Sequence, residues 1–228
     1  MKLRERINEY TGKIPLIGEA LTTEINGKNL VRAALAAGLV LSPNHVLAGD
    51  SVEVMVGNKS TTIDVKLDGE LAPRTGFFVR NRTNIDDGSV TSFAAADIFV
   101  NITGGLDAIL HTQYASSIGV VPRLGLQYFA KSGDVSAYLL GTAGMSENPD
   151  GEVFAVFAYN PKITDDLSLV SQAEFITNFA EQHNFSIQRL RLGVETSGYS
   201  VGAATDLMEA GPEGNFGYNV GGFVKKEF

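Results

Sequence analysis

Glu174, Arg189, Asp206 and Asn219 have the types and spacing to act as one unit. An arginine set between two carboxylates can donate hydrogen bonds to both. A row of this kind either fills and rigidifies a narrow interior or forms a ring of charge that biases which ions pass. Arg80, Arg82, Arg123 and Arg191 are expected in the same interior, where they would favour anions locally. A second constellation is Asp97 with His111. A carboxylate orienting an imidazole is two-thirds of a nucleophilic triad, and Ser136 or Thr142 could supply the third member. No Gly-x-Ser-x-Gly elbow accompanies the pair, so it reads as a hydrogen-bonded pair and no enzyme is expected. His45 and His183 read as loop residues. Neither metal-ligand spacing nor a phosphate-cradling glycine loop occurs, so no metal or cofactor is expected.

The turns bring these residues together. A two-residue turn at Ser197-Gly198 sets Arg189 opposite Asp206. A loop centred between Glu181 and Gln182 sets Glu174 opposite Arg189. A turn centred between Pro212 and Glu213 sets Asp206 opposite Asn219. The four then form one row across four strands, with directly opposed Cβ atoms about 4.5–5.5 Å apart. A three-residue turn at Thr103-Gly104-Gly105 sets Asp97 opposite His111.

The elements that carry the row are ten candidate strands: 74–84, 90–102, 106–116, 121–131, 135–145, 152–160, 167–179, 185–196, 199–210 and 215–228. Strands in soluble domains usually run about 5–6 residues, whereas crossing a bilayer at a tilt takes about 9–11. Each strand is two-faced. Leu124, Leu126 and Tyr128 oppose Arg123, Gly125 and Gln127, and Leu190, Leu192 and Val194 oppose Arg189, Arg191 and Glu195. Tight turns at Gly104-Gly105, Ser132-Gly133 and Ser197-Gly198 fall on one side. The connections 84–89, 145–151, 179–184 and 211–214 are longer and fall on the other, while 160–166 is a long link on the tight side. A further hairpin, 52–56 with 61–67, precedes the array and could add two strands.

Composition sets limits on partners. The chain has 228 residues, no cysteine and a net charge of −8. Residues 1–48 carry a small positive excess, and the remainder is strongly acidic with no basic patch, which argues against nucleic acid as a partner. No apolar run is long enough for a spanning helix. Residues 1–48 read as a helical N-terminal segment or a leader, with an apolar run at Leu30–Ser42 before Pro43. Residues 49–228 read as the β domain.

The array resembles the bacterial outer-membrane β-barrel class over roughly residues 74–228. The resemblance rests on the two-faced strands and on the ending Gly221-Gly222-Phe223-Val224-Lys225-Lys226-Glu227-Phe228. It implies an all-β, up-and-down antiparallel transmembrane barrel of ten strands, or twelve if the 52–67 hairpin joins. It also implies that Phe228 is an assembly signal read by the barrel-assembly machinery, although Lys226 stands where a second aromatic is usual. Outer-membrane lipid is the expected surrounding. The expected function is a small outer-membrane protein, a narrow passive pore or a structural barrel with a charged lumen. The alternative is a soluble β-rich ligand-binding or virion coat protein, in which the apolar parity would point inward.

Overall fold

The computed structural model describes residues 50–116 and 119–228. The expected N-terminal helical segment or leader lies outside the described residues. Twelve strands follow in chain order: β1 Ser51–Gly57, β2 Thr61–Ala72, β3 Thr75–Asp86, β4 Ser89–Thr103, β5 Leu106–Ala115, β6 Gly119–Ser132, β7 Val135–Gly144, β8 Gly151–Tyr159, β9 Ser168–Phe179, β10 His183–Thr196, β11 Tyr199–Ala210 and β12 Asn215–Glu227. Each pairs antiparallel with its neighbours, and β1 pairs with β12, so the sheet closes into an up-and-down barrel. The count is twelve, the larger of the two expected, because the 52–67 hairpin joins the sheet. The β1–β2 hairpin is the closing element, because β12 and β3 would otherwise present unpaired edges.

Turn chemistry sets the register. Ser197 and Gly198 both have positive φ, as do Gly104 and Gly105, the geometry of two-residue hairpin turns that match strand twist. At Gly104-Gly105 the connection is one residue shorter than the sequence suggests. A bulge between Asn101 and Thr103 restores the same pairing of Asp97 with His111. The link expected over 84–89 shrinks to two residues, because β3 runs on to Asp86 and β4 starts at Ser89. The contrast in turn length between the two rims is therefore weaker than the sequence implies.

The apolar parity points outward. Leu124, Leu126, Leu190, Tyr218 and Val220 are exposed, as is Leu192 at 59%, and Val194 is partly covered. The soluble reading, with these residues as a core, is thereby overturned. Exposed aromatics stand near both rims: Tyr128, Tyr159 and Tyr199 at one, Tyr114, Phe179, Phe216 and Tyr218 at the other. Lysines cap these rings, Lys226 Nζ lying 4.1 Å from the Tyr199 ring centre and Lys59 Nζ 3.8 Å from that of Tyr218. An apolar outer band between aromatic rims, with cations at its edges, marks a membrane-spanning barrel.

Inside, near the closing seam, glycines replace side chains. Gly221 of β12 is paired with Gly57 of β1, and Gly193 of β10 with Gly202 of β11. Met55 and Phe223 fill the space they leave, packed with Val170 and Ala204. A Cβ on Gly221 would fall 1.9 Å from the Val56 carbonyl oxygen, whereas one on Gly217 of the same strand would have 3.7 Å to its nearest atom. Backbone contact of that closeness cannot be relieved by a rotamer change. Gly221→Val should therefore prevent closure of β1 on β12, with loss of the compact, heat-modifiable species on gels, while Gly217→Ala should fold normally.

Candidate functional site

Residues of one parity from β1, β2, β3, β9, β10 and β11 meet inside the barrel in a belt of charge. Arg80 of β3 grips Asp64 of β2 with two hydrogen bonds, Nε to Oδ1 at 2.9 Å and an Nη2 contact to Oδ2 at 2.5 Å. The same Nη2 reaches Glu174 of β9 at 3.2 Å. Arg82 contacts Asp64 at 3.3 Å and Asp206 of β11 at 2.5 Å. Arg189 donates to Glu174 and lies 4.0 Å from Asp206. Arg191 joins Asp206 at 2.7 Å to Glu53 of β1 at 2.9 Å. Glu174 sits at the centre, held by Arg80 and Arg189.

The belt crosses the lumen. In the closed order of strands, five lie between β3 and β9 on either route, so Arg80 and Glu174 project from opposite walls. Their direct contact requires those walls to approach within two side-chain lengths. Arg82 to Asp206 and Arg191 to Glu53 are further bridges between strands that are not neighbours. Four carboxylates are thus shared among four arginines, and removal of each ion from water, Glu53 apart, is offset by more than one partner. Lys66, of the same parity on β2, enters no ion pair among the described residues, so the belt matches four arginines with four carboxylates and holds one amine beside them.

The register pairs Arg189 with Glu174 and with Asp206, and Asp206 with Asn219. Asn219, however, takes no part in the charge row. Its side chain accepts from the Lys59 and Ser60 amides and donates to the Ser60 carbonyl, fastening the β1–β2 turn to β12. Arg80, Arg82 and Arg191 belong to the belt. Arg123 does not. It is 1% exposed and lies in a separate polar cluster, donating to Thr142 Oγ1 at 2.8 Å and to both carboxylate oxygens of Asp150 at 2.8 Å. Asn178 also donates to Asp150, and Gln113 donates to Glu152. Burial would raise the Asp150 carboxyl, but the bonds from Arg123 and Asn178 outweigh it and hold it below the usual carboxylate range.

Asp97 and His111 are paired, hydrogen-bonded through Nδ1, and buried. Among the described residues His111 Nε2 has no partner, so neither Ser136 nor Thr142 completes a triad, and the Thr142 hydroxyl is engaged by Arg123. Phe228 follows the end of β12 and donates its amide to the Asp50 carbonyl. Glu53, Asp64 and Lys66 are belt residues that the ten-strand reading left out. The signal was present, since Asp64 and Lys66 share a parity within the 61–67 strand.

The outcome of removing a partner follows from the sharing. Without Arg189, Glu174 keeps Arg80, and Asp206 keeps Arg82 and Arg191. Without the Glu174 charge, Arg189 keeps only Asp206 at 4.0 Å, and Arg80 loses its partner on the far wall. An isolated Glu174–Arg189–Asp206 row would make the arginine the costlier loss, but the shared belt reverses that order. Glu174→Gln should cost roughly 3–5 kcal/mol of barrel stability. Arg189→Ala should cost about 1–3 kcal/mol. Urea unfolding of the refolded barrel in lipid vesicles gives the comparison.

No family model matches the sequence, and no curated protein matches it. Among solved structures, the NanC porin aligns with 79% of this chain and 100% of its own, at 10% identity and a TM-score of 0.52. The KdgM porin aligns with 78% of this chain and 98% of its own, at 11% identity and a TM-score of 0.48. LpxR from Salmonella typhimurium aligns with 78% of this chain and 100% of its own, at 9% identity and a TM-score of 0.45. At such identities the likeness concerns fold, and of these three it is the NanC alignment that carries weight. With the outward apolar band and the closed antiparallel sheet, it establishes that the chain has the fold of the outer-membrane β-barrel class.

Proposed function

We propose that the protein is a narrow passive pore of the bacterial outer membrane, with the charged belt as its constriction. The carrying observation is the contact of Arg80 with Glu174 across the lumen, within a belt of four arginines and four carboxylates that Lys66 adjoins. A ring of fixed charge at the narrowest level sets which ions pass, and basic groups presented to the lumen favour anions locally. The NanC neighbour is a porin by name, which agrees with this reading. The outer-membrane location is supported by the closed antiparallel barrel and its outward apolar band. Phe228, at the end of the closing strand, is the proposed signal for the barrel-assembly machinery.

His111 and Asp97 serve here as lumen packing, not catalysis. The observation that supports this is the burial of both side chains, with no hydroxyl hydrogen-bonded to Nε2 among the described residues. A structural barrel is the second reading, favoured by the number of bridges that cross the interior.

Recordings in planar bilayers separate the two. The purified protein should give small, uniform conductance steps, with a reversal potential in a salt gradient on the anion side. Lys66→Glu should move that potential toward cations. Bilayers that stay as silent as bare lipid would reject the pore and leave the structural barrel.

A further inference from the structure

One polar side chain on the outer wall has no role in the belt and no means of reaching water. Asn81 lies on β3 between Arg80 and Arg82, which point inward, so it points outward at the level of the belt. Its row on β3 is Phe77, Val79, Asn81, Thr83 and Ile85, and its partners on the neighbouring strands are Val65 and Ala94. Asn81 is exposed. Its Oδ1 accepts weakly from the Thr83 hydroxyl at 3.4 Å, and Thr83 lies 3.5 Å from Ser92. Its Nδ2 makes no hydrogen bond among the described residues. Hydrocarbon offers an amide nothing in exchange for water, so polar groups in this band meet protein.

We propose that the β3–β4 face is an interface between two copies of this chain, centred on Asn81. The occupant follows from chemistry and symmetry. A carboxamide carries both a donor and an acceptor, so on a two-fold axis along the membrane normal each Asn81 satisfies the other. Both copies cross the membrane in the same sense, which places the two amides at equal depth. Ala94 and Ala96, outward on β4, leave room for the walls to approach. Gln188, outward on β10, is also an exposed amide at this level, but its longer stem can carry it toward the near rim, where Thr177, Ser186 and His183 form hydrogen bonds. Asn81 has one methylene and stays at depth. The inference rests on the outward orientation of the apolar face and is independent of whether the lumen conducts.

The chain has no cysteine, so single cysteines report cleanly. Val79→Cys, on the outward row of β3 with Asn81 intact, and, on the far wall, Leu192→Cys are each reconstituted in vesicles at high lipid-to-protein ratio and treated with a short thiol-to-thiol cross-linker. Val79→Cys should give a covalent dimer as the main product, and Leu192→Cys only background. Asn81→Leu should run as a folded barrel on unheated gels while losing the dimer seen for the unmodified protein by mass in lipid particles. Equal cross-linking at both positions, none at Val79→Cys, or a dimer that survives Asn81→Leu would overturn the proposal. A partner of another kind, or lipid alone, on this face would appear as absence of the dimer in the purified system.

Discussion

A guanidinium drawn out of water into a barrel interior must find carboxylates there, and most of this molecule's geometry follows from that need. The desolvation of one ion amounts to several kcal/mol even after relaxation, and it is recovered only with close, well-directed partners. Here four arginines are served by carboxylates from β1, β2, β9 and β11, so partners come from the opposite wall as well as from adjacent strands. The register must be held to the residue. A slip of one position would turn every belt residue toward lipid, where an arginine at mid-depth costs roughly 2–4 kcal/mol. The turns with paired positive φ and the bulges near Asn101 and Glu70 are the devices that hold it.

The seam completes the belt. β1 is the shortest strand, yet it supplies Glu53 to the belt and Met55 to the apolar filling beside it. It docks on β12 through a glycine-to-glycine pairing and is fastened at its turn by Asn219 and Asn58. On the far side of the lumen a second network of Arg123, Asp150, Asn178 and Thr142 satisfies the remaining buried cation locally. The interior is thus divided between a belt that ties the walls together and a cluster that belongs to one wall. The first can define a constriction, and the second gives its wall a fixed shape.

Strand positions and pairing were legible in the sequence because period-two alternation and glycine turns are local signals. The pairings of Arg189 with Asp206, Glu174 with Arg189 and Asp97 with His111 follow from turn centres alone. Contacts between strands that are not neighbours were not legible. Nothing local to Arg80 says that its side chain will meet Glu174, because that depends on the closure of the whole sheet. Asn219 illustrates the same limit. Its position in the row is a matter of register, but its choice of the β1–β2 turn over Asp206 depends on where β1 lands. The place of β1 and β2 is less legible, because a short hairpin before the array looks like an appendage until its edges are needed to close the barrel.

The contact between Arg80 and Glu174 joins opposite walls, and a double-mutant cycle tests it most directly. Unfolding free energies in lipid vesicles would be measured for the unmodified protein, Arg80→Met, Glu174→Gln and the double variant. The belt predicts a coupling of at least about 1 kcal/mol between two residues on strands that never pair. Additivity within roughly 0.3–0.5 kcal/mol would mean that the two do not touch, and the account of a lumen crossed by shared charge would fail.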